Sequence, residues 1–414
     1  MRFILLISSG IASVIAGCGN PSVIEISNTI DEERKNEIVE IPMAELSLPS
    51  GRPFVIRDAS GAEMPYQITY DSLLIFPATV APLATAVYYI EEGVPAMVDT
   101  VAVGRVYPDR ADDLVWENQW SGYRAYGPAY QANGGMVFGY DIHTKSVDYP
   151  AVDERYTRER TQSNWDRLHR LREEGRSEEA DSLQRWISYH VDSGTGMDPY
   201  TVGPTLGAGA SAFVLADSTL VYPRSYQSCE ILDNGPLRFT VDMIFGPLAV
   251  GGDTSVIEHR LLTLDSGALL NRAVVRYDSL SDSRTLATGI VVHRQNPDGS
   301  MWDYDLNIIA YADSTDNPCA GNGVIYIGAF IPASGDATHP TVAFLPLPEM
   351  KADAIGHMAL LSSYTPGSDY VYYWGAGWSK HDIPTPEYWM DLMQSFARRI
   401  NSPLDVTVLT SSNK

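Results

Sequence analysis

Apolar and polar residues alternate in short runs along most of this chain. Between Glu37 and Gly93 the runs "EIVEIP", "PFVIRD", "YQITYD", "SLLIFP" and "TAVYYIEEG" carry branched and aromatic side chains, with Pro and Gly punctuating them. That pattern predicts a small β-sandwich over residues 37–104. From residue 105 onward "SAFVLAD", "LRFTVDMIFG", "SVIEHRLLTLD", "LLNRAVVRYD", "LATGIVVHR", "GVIYIGAFI", "HMALLSSY" and "YVYYWGAGW" recur at close spacing. The expectation is a mostly β fold with a large antiparallel domain over residues 105–414.

Two segments break the alternation. Residues 153–188 are charge-rich, with Trp165, Leu168 and Leu171 on one stripe and Leu183, Trp186 and Ile187 on another; Gly175 separates them. This predicts a helical hairpin inserted between strands. Near the end, Thr385 and Pro386 open a helix whose buried face is Trp389, Leu392, Met393, Phe396 and Ile400. A last strand, "LDVTVL", is expected to close the large domain.

The first residues, "MRFILLISSGIASVIAGC", place a basic Arg2 and a short apolar run before Ala16-Gly17-Cys18. This is the bacterial lipoprotein pattern: residues 1–18 form the signal peptide with its lipobox, Cys18 is the lipidation site, and residues 19–36 are a flexible tether. The expected location is the bacterial envelope, at the outer membrane facing the periplasm, with the lipid as the sole membrane contact. In that oxidising compartment Cys229 and Cys319 are candidates to pair.

With 29 basic and 52 acidic side chains, the formal charge is 29 − 52 = −23. Binding a phosphate backbone needs clustered Lys and Arg, so nucleic acid is not an expected partner. A local arginine cluster still admits an anionic substrate.

The segment "YHVDSGTGMDPYTVGPTLGAG", Tyr189 to Gly209, has neither helical nor strand periodicity. Its "GAGASA" satisfies a loose dinucleotide pattern, but a Pro-containing loop precedes it and a β-like run follows, which argues against a nucleotide. There is no phosphate loop, zinc helix or nucleophile elbow. Asp192 and Asp198 bracket glycines, so they do not form a calcium hand. An irregular structural divalent-cation site on these two carboxylates is the remaining metal option, and no other cofactor is expected.

Three features could carry chemistry. His190 with Asp192 and Tyr200 offers a titratable base beside a carboxylate. His293-Arg294 emerges from the apolar strand "ATGIVV". "ENQWSGYRAYGPAYQ" interleaves Glu117, Asn118, Trp120, Tyr123, Arg124, Tyr126 and Tyr130, where aromatic faces suit sugar rings and Arg suits a carboxylate. Trp378 and Lys380 of "YYWGAGWSK" have the same character, while Glu258, His259, Arg260 and Arg272 are weaker candidates.

Taken together, "DDLVWENQWSGYRAYGPAYQ", the Tyr189–Gly209 loop, "ILDNGPLRFT", "ATGIVVHR" and "YYWGAGWSK" resemble the bacterial domain-of-unknown-function 4861 family over Glu37 to Leu409. The resemblance implies secreted or lipid-anchored proteins of polysaccharide-utilisation loci, often those for pectin. It also implies a galactose-mutarotase-like β-supersandwich behind a small β-sandwich, and it transfers no mechanism. The expectation is a carbohydrate-active lipoprotein whose partner is a uronate-containing oligosaccharide. Elimination by a lyase comes first: His190 or His293 as base, Tyr126 or Tyr200 as proton donor, and Arg124, Arg294 or Lys380 as carboxylate partner. Hydrolysis by a carboxylate pair drawn from Glu117, Asp192 and Asp198 is next, followed by a non-catalytic glycan-binding protein or an epimerase or mutarotase.

Overall fold

The computed structural model describes residues 22–48, 52–314, 321–333, 339–381 and 383–409. Cys18 and Cys319 lie outside them, and with them the lipidation and Cys229 pairing expectations. The fold is mostly β, as expected, and the strands within its sheets pair antiparallel.

A small sandwich stacks the strands Asp405–Leu409, Ser22–Ser27, Thr85–Glu92, Phe54–Asp58 and Glu63–Met64 on a second sheet of Arg34–Pro42, Leu73–Val80 and Gln67–Ile68. Ile24, Ile26, Ile41, Phe76 and Ile90 fill the space between them. Two expectations are corrected here. Ser22–Ser27, read as tether, is a strand: "SVIEIS" alternates strictly and buries Ile24 and Ile26. The last strand, Asp405–Leu409, does not close the large sandwich. It pairs with Ser22–Ser27 and lays Val406 and Val408 against the small core.

The large sandwich packs a five-stranded sheet, which includes Ala208–Val214, Arg284–His293 and Ala354–Tyr364, against an eight-stranded sheet. The eight-stranded sheet includes Arg238–Val250, Asp253–Asp265, Asn271–Asp278 and Tyr370–Trp378. A further four-stranded sheet, Val103–Tyr107, Asp113–Glu117, Ser121–Ala125 and Asp141–Thr144, covers the eight-stranded one. Its contact is aromatic: the Trp116 ring lies 6.2 Å from Phe239 and 6.2 Å from Trp374, and Tyr123 lies 4.9 Å from Trp374.

The helices are α1 (Pro128–Ala132), α2 (Val152–Arg160), α3 (Gln162–Glu173), α4 (Ser177–Ile187) and α5 (Pro386–Asn401). The insert is thus three helices rather than a hairpin. Thr161 adopts extended backbone (φ −74°, ψ 104°) and bonds its hydroxyl back to the Thr157 carbonyl, which ends α2. Trp186, expected on the buried stripe, is 41% exposed beneath Arg158. Helix α5 begins as expected, with Thr385 Oγ1 accepting the Tyr388 amide at 3.2 Å. At its other end the buried Arg34 donates to the Ser402 and Arg399 carbonyls at 2.8 and 3.1 Å while it pairs with Glu37. A cation thereby caps the helix C-terminus and ties the small sandwich to the last helix of the chain.

Candidate active site

The four-stranded sheet has two unlike faces because side chains alternate along a strand. Leu114, Trp116, Tyr123, Ala125 and Ile142 join the core. Val115, Glu117, Arg124, Asp141 and His143 occupy the other face, which the insert covers, so these polar groups are buried too. Burying charges costs several kcal/mol per ion unless each is paired, so nearly all of them are partnered.

Arg124 is the hub. Its Nε donates to Asp141 Oδ2 at 3.0 Å, and its Nη2 contacts that oxygen again, the Tyr126 hydroxyl at 2.7 Å and Asp198 Oδ2 at 3.1 Å. Tyr126 in turn donates to Asp141 Oδ2 at 2.6 Å. Burial alone would lower the Arg124 pKa, but Asp141, Tyr126 and Asp198 override it and hold the guanidinium charged. Burial, reinforced by Asp141, pushes Tyr126 well above the usual tyrosine range. His143 Nε2 lies 2.9 Å from the Tyr156 hydroxyl. Burial and then Arg124, Arg155 and Arg110 depress its pKa, so its 4.0 Å approach to Asp198 is not an ion pair.

The loop Tyr189–Gly209 threads from the insert into the large sandwich and carries two groups into this region, Asp198 and Tyr200. Its sharp path needs glycine: Gly196 sits at φ +102°, where an added Cβ would lie 2.0 Å from the Thr144 carbonyl oxygen. Tyr200 is 5% exposed, and its hydroxyl has no hydrogen-bond partner among the described residues. Burial, then Asp313, Tyr311 and Asp141, raises its pKa well above the ordinary range. The Tyr200 hydroxyl therefore feels both Asp141 of the Arg124 cluster and Asp313 of a second one. There His293 Nδ1 lies 3.1 Å from Asp313 Oδ2, the His293 amide bonds the Tyr311 hydroxyl at 3.1 Å, and the Tyr200 ring stands edge-on to His293 at 5.9 Å. His357 lies behind them, accepting the Leu206 amide at 3.2 Å, and burial followed by His293 lowers its pKa to about 3. The His357 ring is 6.3 Å from Tyr222, which with Gln131, Phe138 and Arg224 lines a surface cleft of about 440 Å³.

Arg124 and Tyr126 therefore share one polar cluster, and Tyr200 and His293 share a second that is coupled to it electrostatically through Asp141. The other expected residues stand apart. His190 is exposed at the rim, with Nδ1 2.9 Å from the Asp198 carbonyl oxygen. Asp192 does not pair with it: its Oδ1 accepts the Gly194 and Gly196 amides at 2.9 and 3.1 Å. With Asp192 turned onto those amides and Asp198 onto Arg124, the two carboxylates do not converge on a cation, and no group of three such ligands occurs among the described residues. Glu117 accepts the Ala151 and Val152 amides at 2.9 Å each and pairs with Lys145 at 2.8 Å, so it caps α2. Asn118 braces the Asp265 and Ala268 carbonyls at 2.8 Å each. Trp378 is buried and donates to the Asn322 carbonyl at 2.8 Å, with the exposed Lys380 over its ring. Arg294 is 58% exposed and meets Asp353 at 2.9 Å. Trp120 and Arg272 line a different cavity, of about 1010 Å³, between the small sandwich, α5 and the eight-stranded sheet. Arg260 pairs with Glu258 inside the core and donates to Tyr140 at 2.6 Å, while His259 meets Asp278 at the surface.

Asp141, His143, Tyr156 and Asp313 escaped sequence reasoning. Asp313 carried the signal that singled out His293, a charged residue at the end of the apolar strand "IIAYADS". Arg155 is a further surprise. It is 2% exposed, its Nη1 and Nη2 have no partner among the described residues, and burial lowers its pKa.

A family model described as a domain of unknown function, DUF4861, matches residues 26–406. The uncharacterized protein P7 of Formosa agariphila is 22% identical over 430 residues, which cover 98% of this chain and 99% of that one. Among solved structures, a glycosyl hydrolase family 38 protein and an alpha-mannosidase, both of Enterococcus faecalis, match at 8% identity with a TM-score of 0.46. Each match covers 94% of this chain, which spans about half of theirs (47% and 46%).

Proposed function

Since the chain belongs to the DUF4861 family, a domain of unknown function, we propose from its own geometry that it acts on uronate-containing oligosaccharides by elimination at the Tyr200–His293 centre. One observation carries this: a buried tyrosine hydroxyl with no hydrogen-bond partner among the described residues belongs to a ring packed on a His–Asp pair, and it feels the carboxylate of an Arg–Asp–Tyr cluster. With Asp313 beside its Nδ1, His293 serves as the base. His293 takes the proton from the carbon next to the sugar carboxylate. A double bond forms, the C–O bond one carbon further on breaks, and Tyr200 gives its proton to the departing oxygen. The histidinium then reprotonates the tyrosinate. Tyr200 is protonated near neutrality, as the acid role requires. Arg294, next in the chain and paired with a half-exposed Asp353, is the accessible cation for the substrate carboxylate, since such surface pairs are weak. Arg124 is already committed to Asp141 and Asp198 and serves to position them.

Asp141 and Asp198, held on one guanidinium, supply the carboxylate pair of a glycoside hydrolase as the second reading. Incubation with uronate oligosaccharides distinguishes the two. Ultraviolet absorbance of an unsaturated uronate rising together with reducing ends supports elimination, and reducing ends alone support hydrolysis. Binding with neither signal overturns both in favour of a glycan-binding protein. The envelope location belongs to the same proposal. With Ser22 already in a strand, four residues from Cys18 reach at most about 14 Å, so a lipid there would hold the body close to the membrane. Loss of fatty-acid labelling in Cys18→Ser is the expected result.

A further inference from the structure

The cavity that takes in Trp120 and Arg272 lies away from the Tyr200–His293 centre. Its floor is a row across four strands of the eight-stranded sheet, in which Thr240 faces Thr263, Thr263 faces Arg272 and Arg272 faces Tyr373. Strands stand about 4.8 Å apart, so the row offers polar groups at about the spacing of successive sugar rings. A second groove, of about 600 Å³, shares Lys35, Asn36, Trp120 and Gly267 with the cavity, so the two form one continuous trough.

The charges in this trough are divided unevenly. Arg238 is satisfied by Asp265 and Glu40, both at 2.6 Å, and Arg399 approaches Glu37 at 3.9 Å. Arg272 and Lys35 also line the trough, and neither makes an ion pair among the described residues. Arg272 hydrogen-bonds only the neutral Tyr373 among the contacts described for it, so although Asp71 and Asp148 also line the trough, its guanidinium keeps charge for an anionic guest. An unpartnered buried group points the same way: the Thr240 side chain is 1% exposed, and its hydroxyl has no hydrogen-bond partner among the described residues. Trp120 supplies a half-buried aromatic face at the junction of the two grooves.

We propose that this trough is a second, non-catalytic binding site for an acidic oligosaccharide. Arg272 takes a carboxylate, Trp120 stacks on a ring, and the Thr240 and Thr263 hydroxyls bond ring hydroxyls. The proposal rests on the reading of an acidic glycan as substrate, but not on the chemistry at Tyr200. A glycan seated here would be retained by the protein while its end is processed elsewhere.

Calorimetric titration of the full chain tests this with tetragalacturonate, a guluronate tetramer and a mixed rhamnose–galacturonate tetramer as acidic probes and cellotetraose as the neutral one. At least one acidic tetramer is expected to bind more tightly than cellotetraose. Arg272→Ala and Trp120→Ala should each weaken it about tenfold or more, and Tyr200→Phe should leave it unchanged. Both trough variants alter partly exposed side chains, and their melting temperatures should match the parent. No binding by any acidic tetramer overturns the proposal, as does binding that both trough variants preserve. Loss of turnover in Tyr200→Phe with intact trough binding upholds both readings. Full turnover in Tyr200→Phe with binding still lost in Arg272→Ala overturns the catalytic reading alone.

Discussion

Replacing Tyr200 with phenylalanine separates catalysis from stability because the two should move in opposite directions. The ring keeps its packing against His293, and only a hydroxyl that has no partner among the described residues is removed. A buried polar group left unsatisfied costs about 1–3 kcal/mol, so Tyr200→Phe should gain about 1 kcal/mol of stability. In a chain of this length that is a rise of about 1–2 °C in melting temperature, readable by scanning calorimetry. The same hydroxyl is the proposed acid for the departing oxygen. Its loss should lower kcat by about 10²–10⁴, a barrier increase of about 3–5 kcal/mol, with KM little changed. Initial rates on a uronate tetramer, followed by absorbance of the unsaturated product, measure this. A kcat within a factor of about three of the parent would refute the catalytic role. A melting temperature several degrees lower would refute the account of an unpaired hydroxyl.

Four further outcomes are expected. Asp313→Asn should cost about 10² or more in kcat while the fold survives, because the amide no longer holds the proton on His293 Nδ1; an unchanged pH–rate profile would argue that His293 is not the base. Arg155→Met should raise the melting temperature, since a buried guanidinium whose termini have no partner among the described residues is replaced by an apolar chain of similar length, and a fall of several degrees would mean that the charge is satisfied. Arg34→Met should cost about 3 kcal/mol and open the C-terminal strand to protease, because Glu37 and two carbonyls at the end of α5 lose their shared donor; unaltered denaturation and proteolysis would contradict that. His357 stays neutral in the fold down to about pH 3, whereas the unfolded chain protonates it below about 6.5. Its contribution is constant above pH 6.5 and is lost on acidification at about 1.4 kcal/mol per pH unit, so His357→Asn should flatten the slope between pH 6 and 4 by that amount.

Much of the architecture was legible because it rests on local rules. Short apolar and aromatic runs identified strands such as Arg284–His293 and Tyr370–Trp378, and Thr385-Pro386 marked the start of α5. The same rule would have recovered Ser22–Ser27, whose "SVIEIS" is a short run of branched apolar residues with alternating burial. Its position behind a presumed lipid anchor argued for a tether instead. The site was legible in part: Arg124, Tyr126, Tyr200 and His293 stood out as polar or aromatic groups in unusual settings. Asp141 and His143 did not, because nothing local shows that the outer face of their strand is covered.

The sequence by itself determined where strands and helices form, because alternation, caps and turn residues act over a few neighbouring positions. It also singled out the loop Tyr189–Gly209 as a chain bent by glycine rather than by repeat. Only the tertiary structure decided which polar groups share an environment. The insert folds over the four-stranded sheet, so Glu117 becomes a helix cap, Asp192 a turn brace and Arg124 a hub, while Tyr200 comes under the field of two carboxylates more than a hundred residues apart in sequence. Burial makes that difference. Removing water multiplies the strength of every charge and the cost of every unpaired hydroxyl, and burial is a property of the packed molecule rather than of any segment.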